Sequence, residues 1–518
     1  MRTHPLLSSV AAVALSAAPL AAQAAPASAP PAVRAARSYR AAHEHDILAE
    51  FVKLLAIPNV ARDTADIGRN ARLLAEMLQR RGLNPRILPP GPEGGSPAVY
   101  AEWKVPSATR TIVIYAHYDG QPANPKSWEG GAPWTPVLRS APLERGGKVI
   151  PFPGPGEHAD TSARLYGRSA GDDKAGVMAV ITATDALRAA GRTPSSNIKL
   201  FFEGEEEAGS PHLGPMLTRN AALLASDLWI IVDGPVHQSG AKQVVFGVRG
   251  DMNVDLTVYG PNRPLHSGHY GNWAPNPAMR LAHLLASMTD DSGHVTIAGW
   301  YDDVDPLTAA DSAALARLPR YDDQLAHDLG IARPDGGGRS LAELLLQPSL
   351  NVNGFASGDV GSLARNVIPT TASAVLDLRL VRGNTPEGQF AKLVAHVKRQ
   401  GYLVLDRAPT AEERVAHGRI ATLTMRDGGY AAARTPLDLP IARDVAAAVA
   451  STTTTPPVLQ PSMGGSLPLS VLTARLHVPF LIVPIANFDD NQHAANENLK
   501  LANFWSGIET LAAVMAMR

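Results

Sequence analysis

Four acidic side chains within five positions, Glu203, Glu205, Glu206 and Glu207, follow the mostly apolar run Ile198 to Phe202. Like charges this close repel, and an acidic run of this kind is ordinarily a solvated loop. Other stretches of the chain argue for a different use. Thr111 to Tyr115 is β-prone and leads to His117 and Asp119, Leu228 to Val232 ends in Asp233, and Phe480 to Pro484 leads into the segment carrying His493. A second acidic cluster, Asp172-Asp173, sits in Gly167 to Gly176. Apolar runs that deliver ligand-type residues at or just past their carboxyl ends are expected of an open α/β sheet, whose ligands bind there.

The rest of the pattern agrees with that sheet. Helical spacing runs from His43 to Leu55 and from Asp66 to Arg81, and Asp173 to Ala190 reads as a helix packed on the sheet. Gln121 to Gly156, rich in Pro, Gly and Trp, reads as a loop wall. From Val244 the texture becomes antiparallel. Leu376, Leu378 and Leu380 alternate with Asp377 and Arg379 as in a half-buried strand, and helices are expected over Pro277 to Met288 and from Pro386 to about Arg399. The expected fold class is α/β, a mixed and largely parallel sheet flanked by helices, with an inserted two-layer α+β domain. Residues 40–240 and 425–518 would form the first unit and residues 241–424 the insert.

At 518 residues with 45% hydrophobic side chains, the chain has material for two cores. A net charge of -1 leaves no basic field, which argues against nucleic acid or an anionic membrane surface as partner. Residues 1–24 read as a secretory signal peptide, with the small-x-small triplet Ala22-Gln23-Ala24 at its end, and residues 25–39 as a flexible Ala/Pro-rich linker. The expected location is therefore periplasmic or secreted, from a bacterium, with no membrane span left after processing. Cysteine is absent, so any metal must be held by His and carboxylates.

Two divalent cations a few Å apart need several oxygen or nitrogen ligands each and a carboxylate between them to offset their repulsion. His117, Asp233, Glu207 and His493 are the candidate terminal ligands, and Asp172 the candidate bridge. Asp119, two residues after His117, is placed to accept the ring N–H or fix neighbouring backbone. Of the adjacent pair Glu206 and Glu207, one facing metal leaves the other, Glu206, to take the proton of the attacking water as general base.

His117-x-Asp119, Gly167-Arg168-x-x-x-Asp172-Asp173-Lys174, Glu203-Gly204-x-Glu206-Glu207-x-Gly209-Ser210, Asp233 and His493 together resemble the five motifs of metallopeptidase family 20 of clan MH. That group includes carnosinase-type dipeptidases, glutamate carboxypeptidases and aminoacylases. Leu265-His266-Ser267-Gly268-x-Tyr270-Gly271, Val367-Ile368-Pro369 and Gly464-Gly465-Ser466-x-Pro468 extend the resemblance. It implies a zinc-dependent amide hydrolase with two ions per subunit, although manganese or cobalt suits the same ligands. By similarity His117 and Asp233 hold one ion, Glu207 and His493 the other, and Asp172 bridges. His266 would stabilise the oxyanion, reaching the partner's site in a homodimer formed through the insert. Arg379, Ser466 and Asn366 fall at substrate-binding positions, the first two suited to a C-terminal carboxylate. Asn366 departs from the Thr usual in dipeptidases, and Ser169, Ala175 and Ala208 are small departures that leave every ligand intact. Within the family an Asp at position 233 favours exopeptidase action on dipeptides or short peptides. An N-acyl-amino-acid deacylase or carboxypeptidase is the nearer alternative, and a non-enzymatic binding protein the remote one.

Overall fold

The computed structural model describes residues 29–129 and 131–518. The proposed signal peptide lies outside them.

An eight-stranded mixed sheet organises the molecule, in the order Arg86–Leu88, Ala98–Trp103, Asn197–Glu203, Thr111–His117, Leu228–Ile231, Phe480–Ile482, Gln243–Val245 and Val458–Gln460. Its four central strands are mutually parallel, and antiparallel neighbours flank them. Those central strands are buried almost throughout, as a sheet covered on both faces requires. On one face pack the helices Pro31–Leu55, Thr64–Arg80, Lys174–Ala189, Pro440–Ala450 and Leu501–Met515, through residues such as Phe51, Leu74, Val180, Val445 and Phe504. On the other lie Leu213–Arg219 and Leu469–Leu476, whose Leu217 and Leu472 join Tyr115, Phe201 and Trp229.

A second sheet, Ser349–Ala356, Thr371–Leu380, Gly250–Tyr259, Ile420–Met425 and Leu403–Leu405, is antiparallel except for its last pair. The alternation read at Leu376, Leu378 and Leu380 is real: these side chains are buried against Leu281 and Leu284 of Pro277–Ala286 and Leu393 and Val397 of Pro386–Arg399. A small four-stranded antiparallel sheet, Asn498–Lys500, Arg164–Tyr166, Val137–Arg139 and Val149–Ile150, completes the architecture.

Three expectations are corrected. Residues 31–39 are not a flexible linker but the start of the helix Pro31–Leu55, with Ala32, Val33 and Ala36 buried in the core and Arg37 paired to Glu509 at 2.8 Å. Pro31 occupies the first helical turn, where its missing N–H is harmless, and the alanines behind it are strong helix formers. The helix was expected to begin at His43, which is where its backbone departs from helical dihedrals. Gln121 to Gly156 is not wholly loop, since it supplies two strands of the small sheet. Finally, the boundary expected at residue 240 falls too early: Gln243–Val245 belongs to the large sheet, paired with Val458–Gln460, and the chain first enters the second sheet at Gly250.

Candidate metal centre

The acidic run resolves once each carboxylate is followed to its partner. Glu203 ends a central strand and is buried, accepting the Tyr115 hydroxyl at 2.8 Å. Glu205 turns away to accept the backbone N–H groups of Ser96 at 3.0 Å and His212 at 2.9 Å. Only Glu206 and Glu207 point into the site, from the single turn Glu206–Ala208 at the carboxyl end of that strand. Gly204 makes this sharp divergence possible, because a Cβ there would collide with the Tyr118 hydroxyl.

Neighbouring strands converge on the same point. His117 is the last residue of Thr111–His117, Asp233 lies two residues past Leu228–Ile231, and His493 sits in the segment after Phe480–Ile482 with φ 63°. Asp172 immediately precedes Asp173, which caps the helix Lys174–Ala189 by accepting Gly176 N–H at 3.2 Å and also accepts His117 N–H at 3.1 Å.

Among the described residues two groups have ligand atoms that lie within 4.8 Å of one another: His117, Asp172 and Asp233, and Asp172, Glu207 and His493. Asp172 belongs to both, with Oδ1 2.9 Å from His117 Nε2 and Oδ2 3.1 Å from His493 Nε2. His493 Nε2 is also 3.1 Å from Glu207, and His117 Nε2 is 3.8 Å from both Asp233 and Glu206. Asp119 supports the arrangement from beneath: its carboxylate lies 3.3 Å from His117 Nδ1 and accepts Glu206 N–H at 3.0 Å and Glu207 N–H at 2.9 Å. It therefore fixes the ring and the two-glutamate turn together.

The electrostatics fit divalent cations. Burial, reinforced by the charges of Asp172 and Glu207 and opposed by His117, pushes the Asp233 carboxyl up to about 7. Burial and the charges of Asp233, Asp172 and Glu207 likewise push Glu206 well above its ordinary range. Hydrogen bonds to Asp172 and Glu207 raise His493 to about 10. For His117, burial acts downward but the Asp119 and Asp172 contacts prevail and raise it. Bound cations replace protons at ligands of this kind. The donor set is oxygen and imidazole nitrogen, suited to zinc, manganese or cobalt.

Four residues not anticipated from sequence complete the centre. Gln492 donates to Asp172 Oδ2 at 2.7 Å and Gln121 to Glu207 at 2.8 Å. Buried Glu497 accepts the N–H groups of Ser169, Gly171 and Asp172, each at 3.0 Å, and pairs with buried Arg168 at 2.7 Å. Arg168 stood inside a motif already singled out, and Gln492 and Glu497 flank His493, so their positions were visible although their roles were not.

Arg379 and Ser466 meet, with Arg379 Nη1 donating to Ser466 Oγ at 3.0 Å, while Asp377 holds Arg379 Nε at 3.0 Å. Burial, with the charges of Asp251 and Glu206, pushes the Tyr430 phenol up. His266 and Asn366 lie elsewhere. His266 is exposed on the short pairing Leu265–His266 with Val367–Ile368, its Nδ1 accepting Gly268 N–H at 3.0 Å, and exposed Asn366 bonds through its carbonyl to Ser267 N–H at 3.0 Å. Among the described residues, neither forms a hydrogen bond or ion pair with the metal-centre side chains. A cavity of about 860 Å³ around Lys242 and Thr452 is lined by none of these site residues.

A mixed sheet that brings two carboxylate-histidine triads together at its carboxyl edge, with a spare glutamate beside them, defines a metallohydrolase. The sequence matches peptidase family M20/M25/M40 over residues 113–517, and the chain belongs to that family of metallopeptidases. It is similar to the Beta-Ala-His dipeptidase of Homo sapiens, 25% identical over 477 residues covering 88% of this chain and 86% of the relative. It is also similar to the Cys-Gly metallodipeptidase of Saccharomyces cerevisiae, 24% identical and covering 90% and 94%. Among solved structures, the M20 family metallo-carboxypeptidase of Sulfolobus solfataricus superposes with a TM-score of 0.73 at 25% identity, covering 91% of this chain and 98% of that one.

Proposed function

We propose that this metallopeptidase is an exported dipeptidase that hydrolyses the amide bond of dipeptides or short peptides. The observation that carries the reading is the shared Asp172, which lies between two ligand groups with Glu206 beside them. His117 and Asp233 would hold one divalent ion, Glu207 and His493 a second, and Asp172 both. Bound there, such ions supply Lewis-acid polarisation of the scissile carbonyl and acidify water. Glu206, held by Asp119 through its backbone N–H, takes the water's proton and passes it to the leaving amine.

The Arg379 guanidinium with Ser466 offers a planar fork for a C-terminal carboxylate, which favours substrates that end close to the scissile bond. Similarity to two dipeptidases over most of their length supports the same reading. His266, exposed and apart from the centre of its own subunit, fits a role in the partner's site within a homodimer. The similarity to a metallo-carboxypeptidase keeps carboxypeptidase action on the same scaffold as the second reading, and N-acyl amino acids as the third substrate class to test.

The test is amino-acid release from dipeptides, tripeptides and N-acetyl amino acids by the zinc- or manganese-loaded chain, beside Glu206→Gln. Dipeptide turnover that falls by roughly 10²–10⁴-fold in the variant, with metal content unchanged, is the expected result. Turnover confined to N-acetyl amino acids or to longer peptides would replace the dipeptidase reading.

A further inference from the structure

The hydroxyl-rich run Ser451-Thr452-Thr453-Thr454-Thr455 has no part in the metal centre, yet all five residues line the cavity of about 860 Å³ around Lys242. The cavity lies beyond the carboxyl ends of two parallel strands of the large sheet. Val236 follows Asp233 by three residues, and Val483 to Ile485 continue the strand Phe480–Ile482. Further lining comes from the helix Leu501–Met515, through Asn503, Ser506 and Thr510, and from Arg37 of Pro31–Leu55. None of the metal ligands reaches it, so it is separate from the site already described.

Lys242 is the side chain that such a cavity must account for. Taking an ammonium group out of water is costly unless an opposite charge answers it. Among the described residues its hydrogen bonds go to neutral oxygens: Thr452 Oγ1 at 2.6 Å, Thr510 Oγ1 at 2.7 Å, and the Ser506 and Thr452 carbonyls at 3.4 and 3.5 Å. Both hydroxyls belong to buried residues and give their own protons away, Thr452 to the Val449 carbonyl at 2.7 Å and Thr510 to the Ser506 carbonyl at 2.8 Å. Each therefore presents a lone pair to the ammonium and fixes its position. Two short bonds leave the third N–H with no acceptor closer than 3.4 Å. Nearby Glu509 is already paired with Arg37 at 2.8 Å, and no Asp or Glu lines the cavity. One positive charge is thus left over, held in place and facing open space.

We propose that this cavity binds a small polyhydroxylated anion, a sugar phosphate or a sugar acid, with its anionic group on Lys242. The proposal is independent of the peptidase reading. A charged oxygen on the third N–H would make the strong kind of hydrogen bond that the lysine lacks. The volume is far more than a bare inorganic anion fills, and it falls within the roughly 300–1,000 Å³ of small-molecule sites. Eight serine or threonine residues line it, together with Asn503 and Gln243, so an apolar ligand would leave polar groups unpaired where a hydroxylated one would meet them. No aromatic ring is among the lining residues to stack a flat base, which argues against a nucleotide.

Calorimetry with glucose 6-phosphate, gluconate, inorganic phosphate and glucose tests it, on the full metal-loaded chain and again after chelation. Glucose 6-phosphate or gluconate should bind, the tighter of the two identifying the anionic group. Inorganic phosphate should bind more weakly than the tighter one, and glucose not measurably. The Kd should rise at least about tenfold in Lys242→Met, as loss of a charge-assisted hydrogen bond entails. It should rise as much in Ser506→Phe, whose ring occupies the cavity, and stay unchanged in Arg379→Ala. Circular dichroism checks that each variant is folded, and either cavity variant suffices if the other is not. Binding that disappears from the folded chain on chelation, or in Arg379→Ala, would put the anion at the metal centre or the carboxylate fork and overturn the proposal. Binding indifferent to both cavity variants, no binding at all, or binding of inorganic phosphate alone overturns it equally.

Discussion

Asp119 shows how much a single side chain does without touching substrate. One carboxylate lies 3.3 Å from the His117 ring and accepts two consecutive N–H groups, those of Glu206 and Glu207. Asp119→Ala removes all three contacts, so metal affinity and kcat/KM should both fall, the former by about 10–100-fold as for other residues that orient ligands. Asp119→Asn keeps one acceptor oxygen but adds an NH₂ facing an N–H, and should lie between wild type and alanine. Metal titration with a competing chelator, run beside the kinetics, separates the two effects. An Asp119→Ala chain that binds metal as tightly as wild type would show that the ring and turn are held by other groups. The sequence disclosed His117-x-Asp119 as a unit, but not the bonds to the glutamate turn, because residues 119 and 206 meet only after two parallel strands pair in register.

At the scale of elements, the helix Pro440–Ala450 is tied to Leu501–Met515 through a lysine rather than a carboxylate pair. Lys242 Nζ donates to Thr452 Oγ1 at 2.6 Å and Thr510 Oγ1 at 2.7 Å. Burial lowers its pKa to about 8. The unfolded chain, with an ordinary lysine, therefore binds more protons between pH 8 and about 10.4, and stability rises with pH across that window. Compared with Lys242→Met, which cannot titrate there, the wild-type chain should gain stability on going from pH 8 to pH 10, by up to about 3 kcal/mol at 1.36 kcal/mol per pKa unit. Urea unfolding of both at the two pH values checks it, and a constant difference would mean the lysine titrates in the folded state as it does in the unfolded chain. Element types followed closely from periodicity here, since helices such as Pro386–Arg399 and strands such as Thr371–Leu380 have one apolar face. The helix from Pro31 was missed because alanine and proline are common both to linkers and to a capped first turn.

For the whole molecule, cations that bind only the folded state must stabilise it by mass action, about 2.7 kcal/mol at a hundredfold excess over Kd. Chelation should therefore lower the urea midpoint, and zinc or manganese should restore it. Unchanged stability after verified metal removal would place the ions outside the buried ligand set. The exposed edge of the second sheet makes a separate prediction. Ser349–Ala356 leaves Val352 and Phe355, 41% and 49% exposed, along an edge strand, a template for pairing with another copy. Phe355→Lys should halve the mass in light scattering if a homodimer forms through this edge, and activity should fall with it if His266 serves the partner's site. Full activity in a monomer would remove that role.

Taken alone, the sequence determined most of the elements and the candidate ligands. Strands buried on both faces need long apolar runs, the second sheet needs alternation, and a cysteine-free metal site needs His and carboxylates, so each left a local signature. The tertiary structure decided what depends on distant segments meeting. It placed Asp172 between His117 and His493, sent Glu203 and Glu205 away from the site that Glu206 and Glu207 enter, and joined Arg379 to Ser466 across 87 residues. It also brought residues between 318 and 345 to line a cavity with Met463 and Phe488. No local pattern encodes these, because their energies come from burial and charge compensation that exist only once the sheets have assembled.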